Sequence, residues 1–132
     1  PKAINAGLKE ARGEWIVLLN NDAVVPPHWL ARLIHVAERI GSDCGLVGPV
    51  SNGAPPPQAL ESFPTLGQLE TFANNRWHQT GPKANKVPRL TGFCLAVRKD
   101  VWDHLQGLDE RFGLVFFDDD DLCLRARNAG YS

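Results

Sequence analysis

Methionine is missing from this 132-residue sequence, cysteine occurs three times, tyrosine once, and no apolar run is long enough to cross a bilayer. Lysine and arginine (14) nearly balance aspartate and glutamate (15), giving a formal charge of -1, so no basic field points to nucleic acid. Cys44, Cys94 and Cys123 are odd in number, far apart, and show no Cys-x-x-Cys or Cys/His ligand spacing. That excludes a disulfide framework and a thiolate metal site, and favours reduced thiols buried as small apolar groups. A cytosolic setting follows as the expectation, with no signal-peptide pattern against it. The sequence opens inside a helical pattern and stops just after a helix cap, so it reads as a piece of a longer polypeptide. With 43% hydrophobic residues there is enough for one core.

Ile4, Leu8 and Ala11 make a helical stripe across residues 2–12, stopped by Gly13. Trp15-Ile16-Val17-Leu18-Leu19 follows as a continuous apolar run of strand formers, the pattern of a strand covered on both faces. Helix then buried strand predicts an α/β fold with a mixed, mostly parallel sheet flanked by helices. Asn20-Asn21-Asp22 stands at the carboxyl end of that strand, the edge where open α/β sheets place ligands, although Asn and Asp also make ordinary turns. Pro26-Pro27 opens a helix with the stripe Leu30, Leu33, Ile34, Ala37 and Ile40, ending at Gly41. Residues 44–50 read as a short buried strand.

Residues 51–58, with Asn, Gly and Pro55-Pro56-Pro57, predict an exposed loop. Thr65 and Gln68 have capping-box spacing ahead of an amphipathic helix carrying Leu66, Leu69, Phe72, Ala73 and Trp77. Loop returns at 81–88. The region 50–90 is read as one variable insertion, either the wall of a substrate cleft or a surface feature. Residues 90–97 form a second apolar run containing Gly92, and a glycine there marks a bulge or a close backbone approach. Asp100 can cap a short helix over 101–106, with Gly107 as its stop.

The stretch that asks most for an explanation is Phe116-Phe117-Asp118-Asp119-Asp120-Asp121-Leu122-Cys123-Leu124-Arg125. Leu122, Ala126 and Ala129 fall at i, i+4 and i+7, so a short helix is predicted over about 119–128, with Gly130 ending it. The acids then occupy the first turn, where free N–H groups and the helix dipole favour negative charge, and Asp121 can pair with Arg125 at i,i+4. Four adjacent carboxylates still repel one another unless a cation or proton donor compensates them. A carboxylate poised there is a candidate general base or metal ligand, and the residues leave both open.

Taken in order, Asn5-Ala6-Gly7, Ala11-Arg12-Gly13, Trp15 to Leu19, Asn20-Asn21-Asp22, Gly92-Phe93-Cys94, Gly107-Leu108-Asp109-Glu110 and the acidic stretch resemble family 2 glycosyltransferases of the GT-A fold. The resemblance covers nearly the whole chain and implies one partial glycosyltransferase domain over 1–132, lacking the first βαβ unit that grips the base and ribose. It implies an inverting enzyme that moves a sugar from a nucleotide-diphosphate donor to a glycan or lipid-linked hydroxyl acceptor. Asn20-Asn21-Asp22 resembles the family's D-x-D motif, so Asp22 and Asn20 are the implied donor and metal ligands, with Mg²⁺ or Mn²⁺ as the cation. Gly92 resembles the donor-sugar loop. On the same match Asp119 is the catalytic base, and Asp118 stands in the place of an acceptor-binding Glu. The resemblance further implies a cytoplasmic role in cell-wall or polysaccharide biosynthesis, with any membrane association carried by other segments of the parent.

From a different class, the alternative is a non-catalytic carbohydrate- or cation-binding module in which the four aspartates serve folding or Ca²⁺. The run lacks the alternating spacing of an EF-hand loop. If the enzyme reading holds, Asp22 and Asp119 should lie at one edge of a sheet and face a common cleft.

Overall fold

Trp15–Leu19 forms strand β1 and sends alternate side chains to opposite faces of a sheet, as strand geometry requires. In the computed structural model, which describes residues 1–60, 65–113 and 117–132, β1 is an edge of a three-stranded sheet. Leu46–Val47 (β2) is the other edge and Cys94–Arg98 (β3) the centre. Helix α1 (Lys2–Leu8) precedes β1, and α2 (Trp29–Ile40) joins β1 to β2. A 3-10 turn (Leu66–Gln68) and α3 (Leu69–Thr80) fill the region before β3, and α4 (Lys99–Leu105) and α5 (Asp118–Asn128) follow it.

The sheet departs from the mostly parallel arrangement expected. β3 pairs antiparallel with both neighbours, in registers that align Ile16, Val97 and Leu46 on one line and Val17, Ala96 and Val47 on the next. β1 and β2, joined through a helix, therefore do run parallel to each other, but β3 inserts between them in the opposite sense. A continuous apolar run reports burial on both faces and carries no information on direction.

Each face has its own core. Ile16, Leu46, Leu95 and Val97 pack with Val101 and Trp102 of α4, Leu108, and Leu122, Cys123 and Ala126 of α5. On the other face Val47, Ala96 and Cys44 pack with Leu33 and Ala37 of α2, flanked by Trp15 and Val17. Leu95, Val97, Val101 and Leu122 are fully buried, and each such side chain contributes about 1.5–3 kcal/mol of transfer free energy. Their removal from water fixes α4 and α5 on one side of β3 and α2 on the other.

Local differences have local causes. α2 starts at Trp29 rather than at the prolines, because His28 takes a left-handed backbone as the residue before it. Leu30 and Ile40 of the expected stripe are exposed, while Val36 is buried. The strand expected over 44–50 shortens to Leu46–Val47, although burial is continuous from Cys44. Leu90 to Phe93 lie outside β3, so Gly92 precedes the strand instead of interrupting it. Asp100 is not the cap expected: α4 begins at Lys99 with Arg98 as its N-cap, and Asp100 sits inside the first turn, where it accepts from the adjacent Val101 N–H at 2.8 Å. Among the described residues no helix is long and apolar enough to cross a membrane.

Candidate active site

The site grows from three successive amides ahead of β3. Leu90 N–H donates to Cys123 Sγ at 3.3 Å, Thr91 N–H to Gln58 Oε1 at 2.7 Å, and Gly92 N–H to Asp119 Oδ2 at 2.7 Å. None of these amides has a strand partner, so side chains satisfy them. Two of the three side chains come from α5, whose buried Leu122, Cys123 and Ala126 hold its first turn against the start of β3.

Asp119 also accepts from Asp120 N–H through Oδ1 at 2.9 Å. A Cβ on Gly92 would meet the Asp119 side chain at 3.6 Å, so the close backbone approach expected at this glycine is to the candidate base. The next residue connects to the other motif. Phe93 O accepts from Asn20 N–H at 2.8 Å, extending the pairing of Leu19 with Cys94 by one step. Asn20, Phe93, Gly92 and Asp119 are thus linked end to end where β1 finishes and β3 begins.

Two of the remaining three aspartates are compensated separately. Asp120 pairs with Arg89 at 3.3 Å, and Asp121 with Arg125 at 2.7 Å, the i,i+4 pair expected from spacing. Arg125 also donates to Leu105 O and Gly107 O, at 2.7 and 2.9 Å, and so closes the carboxyl end of α4. Asp118 makes no side-chain hydrogen bond among the described residues and is partly exposed. Phe116 of the flanking aromatic pair lies outside the described residues, and Phe117 is 64% exposed with a left-handed backbone at φ 74°.

Asn20 and Asp22 are exposed and line an open cavity of about 1300 Å³ that also reaches Trp29, Trp77, Arg89 and Phe93. Gly92, Asp118 and Asp119 are not among its lining residues. The structure therefore brings Asn20 and Asp119 to one end of the sheet without placing Asp22 and Asp119 in one cavity wall. Among the described residues no three His, Cys, Asp or Glu side chains gather as a metal cage. What Asp22 and Asn20 do offer is one carboxylate and one amide oxygen on a single exposed turn. Such a hard, incomplete oxygen set fits a Mg²⁺ or Mn²⁺ that keeps water and phosphate ligands of its own.

Burial disfavours the thiolate form of the cysteines. Burial pushes the Cys94 thiol up to about 11. Burial, and after it the charges of Asp119 and Asp120, also push Cys123 up, against the hydrogen bond from Leu90. Both are thiols at neutral pH, and all three cysteines are buried and unpaired.

Gln58, Thr91 and Arg89 are contacts that reading the sequence missed. Gln58 is buried at 3% exposure inside the segment expected to be an exposed loop. No periodicity marks it, and its partner Thr91 is far along the chain, so no local pattern could have found it.

The whole chain, residues 1–132, matches the profile described as glycosyltransferase like family 2. The chain belongs to that family. Among curated proteins it is 30% identical over 138 residues to the uncharacterized protein y4gI of Sinorhizobium fredii, covering 97% of this chain and 15% of that protein. It is 33% identical over 115 residues to the uncharacterized protein Rv1525 of Mycobacterium tuberculosis, covering 86% of this chain and 40% of that one. It is also 29% identical over 142 residues to the O-antigen biosynthesis protein RfbC of Myxococcus xanthus, covering 98% of this chain and 11% of RfbC. The chain thus spans less than half the length of each of these relatives. No solved structure matches it at a significant level.

Proposed function

We propose that this chain is the central and later part of an inverting glycosyltransferase domain, with Asp119 as general base. The observation that carries the reading is the Asp119 carboxylate, held by the amides of Gly92 and Asp120 at the end of the sheet where Asn20 meets Phe93. Those two hydrogen bonds use two of the roughly four lone-pair directions of a carboxylate. The others remain to accept a proton.

In the proposed reaction Asp119 takes the proton of an acceptor hydroxyl as that oxygen attacks the anomeric carbon. The bond from that carbon to the nucleoside diphosphate breaks on the opposite face, so configuration inverts. Asp118, partly exposed beside the base, would hold the acceptor, and Gly92 would border the donor sugar. Asn20 and Asp22 would hold the donor diphosphate together with Mg²⁺ or Mn²⁺, whose contribution is to neutralise charge on the departing diphosphate. The grip on base and ribose is assigned to a βαβ unit outside this chain, and region 50–90 to the cleft wall. A cytoplasmic step of polysaccharide or cell-wall assembly on a glycan or lipid-linked acceptor suits this chemistry, and the name of the Myxococcus relative is in keeping with it.

The rival cation-binding module needs several of the four carboxylates to converge on one ion. Asp120 and Asp121 are instead turned toward Arg89 and Arg125, which favours the enzyme.

Asp119→Asn in the full-length parent tests the base. Donor binding is expected to stay close to unchanged while transfer falls about 10²–10⁴-fold, the usual worth of a positioned general base. Undiminished transfer would move the role to Asp118 or Asp120.

A further inference from the structure

Among the described residues Gln58 is the one buried polar side chain. Its amide is well used. Nε2 donates to Pro49 O at 2.7 Å, while Oε1 accepts from Thr91 N–H at 2.7 Å and from Thr91 Oγ1 at 3.0 Å. The segment that delivers it is closed on itself, Ser51 N–H donating to Gln58 O at 2.8 Å and Leu60 N–H to Ser51 O at 3.0 Å. Gly48 clears the space, since a Cβ there would stand 2.8 Å from Gln58 Nε2.

The consequence lies one residue beyond Thr91. Of the three anchored amides ahead of β3, Leu90 and Gly92 are held by side chains of α5, so that pair could shift together with α5 as one unit. Thr91 is held from outside α5, by a side chain referenced to Pro49 just after β2. Because Gln58 holds Thr91 at both its N–H and its hydroxyl, the Thr91 N, Cα and Cβ are placed and with them its carbonyl carbon, so ψ of Thr91 is the one backbone torsion left to aim the planar peptide that carries the Gly92 N–H.

Resting on the reading of Asp119 as base, we propose that Gln58 is a positioning residue for sugar transfer. By pinning Thr91 it fixes the Gly92 amide against Asp119 and so sets the aim of the carboxylate that receives the acceptor proton. Gln58 also belongs to the wall of the open cavity that Asn20 and Asp22 line, and through it the wall and the base share one reference frame.

The test uses the full-length parent with its donor and acceptor. Gln58→Leu is expected to lower kcat about 10- to 100-fold with donor KM within about twofold, because sub-ångström aim is what it removes. In the Asp119→Asn background the same change should cost less than about twofold more, since the two residues act as one unit. Amide exchange at Gly92 should accelerate by about tenfold or more, while the buried β3 amides of Leu95 and Val97 stay protected. Thr91→Val should lower kcat several-fold, and Thr91→Ser, which keeps the hydroxyl, should recover most of that loss. Equal losses for Gln58→Leu in both backgrounds, or unchanged kcat and Gly92 exchange, overturn the proposal. Should Gln58→Leu fail to fold, the Thr91 pair decides, and unchanged kcat in Thr91→Val overturns it. A fully active Asp119→Asn brings down the base reading and this one together. An inactive Asp119→Asn beside a fully active Gln58→Leu brings down this one alone.

Discussion

Successive residues of an α-helix turn by about 100°, so the four aspartates that open α5 fan their carboxylates around its start instead of stacking them. Asp119 turns to the amide of Gly92, Asp120 to Arg89 and Asp121 to Arg125, which spreads and compensates much of so dense a run of like charge. Two carboxylates outside the run are held below their ordinary value, Asp100 by its hydrogen bond from Arg98 and, to the lower value, Asp109. Asp109 is held down at about 2, first by hydrogen bonds from the Arg111 side chain and then by the Arg111 amide. Because the folded value is depressed, its stabilising contribution is present above the unfolded carboxylate value of about 3.9 and is lost as pH falls through about 2. Melting temperature followed from pH 5 downward should therefore decline less steeply in Asp109→Asn than in the unaltered protein. Parallel curves would show that the pairing with Arg111 persists on unfolding or is not formed.

At the scale of elements, α5 packs on α4 through the core, and one of its side chains adds a polar tie to the end of α4. Arg125 meets Asp121 on its own helix, then reaches Leu105 O and Gly107 O at the end of α4, so removing it breaks three contacts and leaves two carbonyls without a partner. Arg125→Met should cost on the order of 1.5–3 kcal/mol, while Asp121→Asn, which loses one partly exposed charge pair, should cost about 1 kcal/mol or less. Urea unfolding of the two variants checks the order, and an equal cost would mean that the α4 contacts contribute nothing. Half of this tie was legible in the sequence, since Asp121 and Arg125 have i,i+4 spacing, and half was not, since Leu105 and Gly107 offer backbone atoms only. The same division runs through the fold. Apolar patterning marked β1, α2 and α5, because those signals repeat within a few residues, whereas the expectation that Asp119 lies at an edge of the sheet came from the family resemblance. Sheet direction, the Arg89–Asp120 pair and the burial of Gln58 depend on chain reversals and on partners far along the sequence, which local pattern does not encode.

For the molecule as a whole, the sheet sorts the candidate residues into two stations at one end, with the Leu90-Thr91-Gly92-Phe93 segment between them. Asn20 and Asp22 line the open cavity, while Gly92 and Asp119 lie outside its lining, in keeping with the proposal that the diphosphate and the acceptor proton are handled by different motifs. Separate stations imply separable losses. In the full-length parent, Mn²⁺ with a nucleoside diphosphate should bind, and Asp22→Ala should weaken that binding, because the turn offers one carboxylate and Asn20 can replace only a neutral oxygen ligand. Asp22 is exposed and its side chain makes no hydrogen bond among the described residues, so the substitution should shift thermal stability little. Asp119→Asn, measured alongside, should leave the same titration close to unchanged. Calorimetry on the three proteins decides between the two roles: equal affinity in all of them would reduce Asp22 to an ordinary turn residue, and a parallel loss in both variants would show that the two motifs hold one ligand in common.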